Sequence, residues 1–162
     1  MRKSILAALI LFAFSGLAAA QTSSAPRGWG YGFVAPGGAG SRAATLHLGA
    51  GGEALIYKGL GAGAEIGYLG PFEGLGSGFG VFSANGSYHF VNESNDKKLV
   101  PFVTAGYTLI FREGRANLFN FGGGVNYWVR KKVGLRFEFR DHVWSNASTQ
   151  HFWGVRFGVA FR

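Results

Sequence analysis

The chain has 162 residues, a length that suits one domain, and a formal net charge of +8. It contains no cysteine, which excludes disulfides and thiolate metal sites. Hydrophobic residues make up 48% of the chain, which argues against disorder, and 28 glycines with many aromatic residues favour many short strands.

The first 20 residues have the three-part pattern of a secretory signal peptide. Arg2 and Lys3 precede an apolar run from Ile5 to Phe14, and small residues then lead to Gln21. The apolar run is too short to cross a bilayer as a helix. We therefore expect a signal peptide over residues 1–20, a short periplasmic lead over 21–27 and one domain over 28–162.

From Gly28 onward, strand-like segments alternate with turn residues. Large apolar residues share one face of most segments, whereas Gly, Ser, Asn, Arg and Glu dominate the other face. The eight predicted strands are Gly28–Ala35, Thr45–Tyr57, Leu60–Leu69, Phe79–Phe90, Pro101–Phe111, Ala116–Val129, Val133–Trp144 and His151–Phe161.

Two folds fit this alternation, and they differ in which face points inward. A soluble lipocalin-like carrier would bury the apolar face, whereas a membrane barrel would expose it to lipid. Small and charged residues suit the narrow lumen of eight strands. The sequence therefore predicts an all-β fold, an eight-stranded antiparallel up-and-down transmembrane β-barrel, with the soluble carrier as the alternative.

Aromatic residues near the predicted strand ends indicate an interfacial girdle. With both chain ends in the periplasm, the segments near 58–59, 91–100 and 130–132 would be periplasmic turns, and the other connections would be outer loops. The predicted interfacial residues are Trp29, Tyr57, Tyr68, Tyr127, Trp144, Trp153 and Phe161.

The segment His151-Phe-Trp-Gly-Val-Arg-Phe-Gly-Val-Ala-Phe161 resembles the closing strand of outer-membrane β-barrels of the OmpA/OmpX-like superfamily. The resemblance implies the fold, a location in the cell outer membrane, and recognition of Phe161 by the barrel assembly machinery. Arg162 follows Phe161, which departs from the pattern in which the final Phe ends the strand. The superfamily includes anchors, adhesins, narrow pores and lipid-modifying enzymes, so the resemblance implies no single function.

Charged residues on the small-residue faces predict a network inside the barrel. A hairpin turn around Ala147 would place Glu138 opposite Arg156, and buried opposite charges must pair. The narrow bore favours a network that seals the lumen over a gated ion path. The predicted network consists of Glu53, Glu65, Arg136, Glu138, Arg140 and Arg156.

The run Phe-Arg-Asp-His-Val-Trp-Ser-Asn-Ala resembles the active strand of outer-membrane lipid A deacylases, which would make His142 and Ser145 catalytic. These residues are three positions apart, so a regular strand places them on opposite faces, and we expect no catalytic residues. His47, His89 and His151 lie on separate strands without clustered carboxylates, so neither a metal site nor another cofactor is expected.

Basic residues are dispersed among the turns, which argues against a nucleic-acid partner. Arg112 and Arg115 on an outer loop would instead meet lipopolysaccharide phosphates, and outer-membrane lipids are the expected surroundings. The predicted role is structural or envelope maintenance without enzyme activity. A narrow ion or solute channel and a lipid A-modifying enzyme are the alternatives.

Overall fold

A computed structural model describes residues 28–40, 43–91, 98–112, 114–145 and 149–162 of the chain. The predicted signal peptide and periplasmic lead lie outside these ranges. The only helical element in the described ranges is a single 3-10 turn, Leu75–Ser77, and none of them contains a helix long and apolar enough to cross a membrane. The strands are β1 (Gly28–Ala39), β2 (Ala43–Tyr57), β3 (Leu60–Pro71), β4 (Phe79–His89), β5 (Leu99–Phe111), β6 (Arg115–Trp128), β7 (Val133–Ser145) and β8 (Thr149–Phe161).

The eight strands form one closed antiparallel barrel in sequence order. Each strand pairs with its neighbours in the chain, and β1 pairs with β8 through contacts such as Gly30 with Phe161. Because every strand has two partners, the ring leaves no open edge and pairs its backbone groups internally. The predicted fold class is confirmed.

The barrel has two different ends. At one end, the terminal rim, β1 starts and β8 ends, β2 ends and β3 starts, β4 ends and β5 starts, and β6 ends and β7 starts. At the other end, the loop rim, β1 ends and β2 starts, β3 ends and β4 starts, β5 ends and β6 starts, and β7 ends and β8 starts. In the orientation expected from the sequence, the terminal rim faces the periplasm.

Side chains alternate between a polar interior and an apolar exterior, as β7 illustrates. Arg136, Glu138 and Arg140 are buried inside the barrel, whereas Phe137 and Phe139 on the same strand are 41% and 48% exposed on the wall. A soluble carrier would show the opposite arrangement. The lipocalin-like alternative is therefore wrong, and the wall has the apolar surface of a barrel that contacts lipid.

Strand β1 continues four residues beyond the end that the sequence predicted at Ala35. Pro36 lies within this extension and has no backbone N–H to donate to a neighbouring strand. In the barrel the pairing with β8 resumes at Gly37, opposite Gly154. Glycine is required at this position because a Cβ on Gly37 would lie 1.9 Å from the Trp153 carbonyl oxygen.

The two faces of β1 are reversed relative to those of the other strands. Trp29, Tyr31 and Phe33 point into the lumen, and the glycines between them lie on the wall. Glycines of β2 leave space for these rings. A Cβ on Gly49 would lie 2.7 Å from the Phe33 ring, and a Cβ on Gly51 would lie 3.0 Å from the Tyr31 ring. The interfacial assignment of Trp29 is therefore wrong, because its indole is 9% exposed and packs inside the barrel.

Candidate functional site in the barrel lumen

The lumen is the candidate site because it gathers most of the buried ionisable side chains of the described residues. Regular alternation along β2, β3, β7 and β8 turns every second residue inward, and the pairing of β7 with β8 places Glu138 opposite Arg156. The structure brings all six residues of the predicted network into the lumen, each at 4% exposure or less.

Glu65 is the anionic centre of the half of the lumen nearer the loop rim. Both of its carboxylate oxygens accept hydrogen bonds from Nη1 of Arg156 at 3.0 Å, and Nη2 of Arg140 lies 3.4 Å from Oε1. The Tyr31 hydroxyl donates to the same carboxylate at 2.7 Å. Three side chains from three other strands thus meet at one carboxylate.

Glu138 connects the two halves of the network. Arg140 donates to Oε1 of Glu138, and Nε of Arg136 donates to Oε2 at 3.1 Å. Nη1 of Arg156 also lies 3.9 Å from Oε1. Because three guanidinium groups surround this carboxylate, its loss would leave buried positive charge without compensation.

Glu53 anchors the half of the lumen nearer the terminal rim. Nη1 of Arg136 donates to Oε2 of Glu53 at 3.3 Å, and Oε1 contacts both Nε2 of His89 at 2.6 Å and the Ser87 hydroxyl. These residues do not form a catalytic relay, since Ser87 and Glu53 meet the same ring nitrogen of His89. Nδ1 of His89 has no hydrogen-bond partner within the described ranges.

Aromatic rings of the lumen stack on the guanidinium groups. The Arg136 guanidinium lies 4.0 Å from the centre of the Phe102 ring and 4.5 Å from that of Tyr31, and Arg156 lies 4.2 Å above Phe33. Cation–π interactions with these rings stabilise the flat faces of the guanidinium groups, which the carboxylates do not contact. The reversed faces of β1 therefore supply two of the three rings that hold the network.

Apolar clusters lie in the lumen on both sides of the network. Toward the terminal rim, Trp29 packs edge to face on Trp128 with ring centres 6.0 Å apart. Toward the loop rim, a second cluster is formed by Leu69, Val81, Ile110 and Leu118, with Ala116, Trp144 and Phe152 packed against it. The interfacial assignment of Trp144 is corrected by this packing, because its ring lies against the inner cluster and not on the wall.

Sequence reasoning did not include several lumen residues in the network. Tyr31, Ser87, His89 and His142 all contact the network, yet no charge pattern marks them. One usable signal was present, because the lumen-facing glycines of β2 opposite β1 indicate that large side chains of β1 point inward.

The structure separates the two residues that resemble a deacylase pair. His142 lies inside the barrel, where Nδ1 is 3.0 Å from the Thr108 hydroxyl and Nε2 is 3.3 Å from Arg156. Ser145 is exposed at the end of β7 and pairs with Thr149. The sequence expectation that they lie on opposite faces agrees with this arrangement.

The wall carries a paired aspartate and histidine near the loop rim. Oδ2 of Asp141 lies 2.6 Å from Nδ1 of His151, which is half exposed. Asp141 is only 8% exposed, and its Oδ1 has no hydrogen-bond partner in the described part of the chain. Within that part, no group of three or more His, Asp or Glu residues is placed to hold a metal ion.

The remaining predicted girdle residues lie on the wall or at a rim. Tyr57, Tyr127, Trp153 and Phe161 are exposed on the wall, and the Tyr68 hydroxyl accepts a hydrogen bond from the Gly78 N–H at 2.7 Å near the loop rim. Phe161, the predicted assembly signal, is the last residue of β8.

Comparison with known proteins relates the fold to solved membrane barrels. No family model and no curated protein matches the sequence. Neisserial surface protein A is similar in structure, with a TM-score of 0.64 and 16% identity over 86% of this chain and 99% of that chain. The N-terminal β-barrel domain of Pseudomonas aeruginosa OprF has a TM-score of 0.62 and 13% identity over 83% of this chain and 96% of that chain.

The outer membrane enzyme PagL is also similar, with a TM-score of 0.60 and 17% identity over 79% of this chain and 97% of that chain. At these identities the likeness concerns the fold alone. Together with the apolar wall, it leads to one conclusion: this chain has the fold of small outer-membrane β-barrels, with eight strands in one closed antiparallel ring.

Proposed function

We propose that this protein is a sealed, non-conducting barrel with a structural role in maintaining the outer membrane. The observation that carries the proposal is the lumen itself, in which three arginines and three glutamates pair between two apolar clusters. The three positive and three negative charges balance. The ion pairs between them hold the six side chains in place as an internal scaffold.

A channel would need a continuous polar path for a hydrated ion or solute. Here apolar side chains occupy the lumen at two levels. The Trp29 and Trp128 rings pack together near the terminal rim, and Leu69, Val81 and Leu118 pack together near the loop rim. The charged middle layer is held by hydrogen bonds in both halves. These features support a seal over a gated path.

Planar-bilayer recording tests the seal. We expect purified folded protein to give no unitary conductance above the bilayer background, while a large-pore porin in the same bilayer confirms that insertion and detection work. Reproducible conductance steps from the wild-type barrel would overturn the proposal and favour the channel.

We also propose that the role is not enzymatic. Support comes from the lumen position of His142, which keeps its imidazole away from Ser145 on the other side of the strand. Mass analysis of lipid A from cells that express the protein tests this point. We expect the same acylation pattern with wild type and with Ser145→Ala, and an acyl loss that depends on Ser145 would contradict it.

A deletion strain of the native host tests the structural role directly. We expect increased sensitivity to detergents and large antibiotics, restored by the wild-type gene. If the deletion strain keeps wild-type resistance and outer-membrane composition, the envelope-maintenance role fails even though the barrel is sealed.

A further inference from the structure

The turn between β6 and β7 places three adjacent cations on the terminal rim. Arg130, Lys131 and Lys132 are all exposed, and the turn is closed by a hydrogen bond from the Arg130 N–H to the Val133 carbonyl at 3.0 Å. Arg162 fixes the turn from the side of β8. Its backbone N–H donates to the Lys132 carbonyl at 3.1 Å, and its Nε donates to the Lys131 carbonyl at 3.1 Å.

The Arg162 guanidinium also lies 3.7 Å from the centre of the Trp128 ring. Arg162 therefore folds over the end of the lumen and holds the carbonyls of the turn. This arrangement leaves the side chains of Arg130, Lys131 and Lys132 at the surface as the groups available to a ligand.

The described acidic residues all lie away from this turn. Glu53, Glu65 and Glu138 are buried in the lumen, Asp141 pairs with His151 near the loop rim, and Glu73 lies in the connection between β3 and β4 on the loop rim. Among the described residues, no carboxylate forms an ion pair with the three cations of the turn. Their positive charge is therefore available to an anion.

The wall directly below the turn is apolar and continuous. Tyr127 of β6 pairs with Leu135 of β7, which in turn pairs with Val159 of β8, and these side chains are 38–42% exposed. Phe161 extends this surface to the rim and is 55% exposed. On the far side of the barrel the wall near the same rim is also apolar, with Tyr57, Leu60 and Tyr88 exposed, but the β2–β3 turn above it carries a single cation, Lys58.

We infer that this sector binds an anionic phospholipid, with its phosphate on Arg130, Lys131 and Lys132 and its acyl chains on the wall of β6 to β8. The cations lie at the rim directly above the apolar wall, and a phospholipid presents its charged headgroup and its acyl chains in the same order. A soluble phosphate would interact only with the cations and would make no contact with the apolar wall. The inference concerns a lipid partner and does not depend on whether the lumen is sealed.

Native mass spectrometry of the barrel released from nanodiscs tests the site. The nanodiscs contain phosphatidylglycerol and phosphatidylcholine with matched acyl chains, and the retained lipids are counted. One basic residue near a membrane surface contributes roughly fivefold in affinity, so we expect retention of phosphatidylglycerol over phosphatidylcholine by at least about fivefold. High salt should reduce this preference by screening.

The informative variant is Arg130→Gln/Lys131→Gln/Lys132→Gln, which should retain the two lipids to within about twofold of each other. The control is Lys58→Gln/Arg112→Gln/Arg115→Gln, which removes the same number of charges at other exposed positions and should keep the preference. Heat-dependent gel mobility identifies any variant that fails to fold. For such a variant, Lys131→Gln and Lys132→Gln are measured singly, and each should lower the preference in part.

Three results would overturn the inference. The triple variant of the turn could keep the wild-type preference, or the control could lose it equally, which would mean that only net charge matters. Alternatively, inorganic phosphate could displace the retained lipid at matched ionic strength, which would mean that the cations form a free-anion site with no lipid specificity.

Discussion

Glu138 is the carboxylate on which the lumen network depends most. Its two oxygens accept hydrogen bonds from Arg136 and Arg140, and the Arg156 guanidinium lies nearby. Glu138→Ala should lower the stability of the barrel by about 3–5 kcal/mol, because it leaves buried guanidinium groups without a partner. Urea unfolding in detergent, followed by gel mobility, measures the change. Glu73→Ala on the exposed loop is the control, and an unchanged midpoint for Glu138→Ala would contradict the network.

The lumen glycines are fixed by the approach of neighbouring backbone. A Cβ on Gly124 would lie 2.0 Å from the Phe137 carbonyl oxygen, whereas a Cβ on the wall residue Gly30 would meet nothing closer than 3.7 Å. We expect Gly124→Ala to reduce the yield of folded barrel strongly and to destabilise what folds by about 1–3 kcal/mol or more, since overpacking forces the strands apart. Gly30→Ala should fold like wild type. Equal folding yields for the two variants would show that the lumen has room for a Cβ at position 124, which contradicts the close approach of the Phe137 carbonyl.

At the scale of single strands, the sequence predicted most of the barrel but left the direction of β1 open. Strand β7 has charged and apolar residues in strict alternation, so its faces, and the pairing of Glu138 with Arg156, follow from the pattern. Strand β1 alternates aromatic residues with glycine, and that pattern is equally compatible with either face. Only the packing of its rings against the glycines of β2 decides the direction, and such packing joins residues that are distant in the chain.

The direction of β1 can be tested with cysteine labelling, because the chain has no cysteine of its own. Val34 is 41% exposed on the wall and Ala35 is 2% exposed in the lumen, so Val34→Cys and Ala35→Cys are small changes on adjacent residues. A spin label on Val34→Cys should collide with lipid-dissolved oxygen, and Ala35→Cys should resist labelling until the protein is unfolded. Lipid contact at position 35 and protection at position 34 would mean that β1 faces the other way.

For the whole molecule, the closed ring predicts resistance to SDS. All eight strands are paired on both edges, so the barrel should keep its compact form in SDS at room temperature and unfold only on boiling. We expect the unheated protein from the membrane fraction to migrate differently from the boiled protein. A soluble protein with one mobility under both conditions would contradict a membrane barrel.

The pairing of β1 with β8 also determines when the protein can become stable. The two strands that meet at this seam are the first and the last in the barrel, so the ring cannot close before β8 has been delivered to the membrane. Until then the growing sheet has two unsatisfied edges in an environment that offers them no water. A chain truncated within the final hairpin would therefore be unable to close the barrel. We expect it to be degraded rather than to form a barrel of lower stability. Whether a chain is kept or degraded therefore depends on whether β8 is present to close the ring.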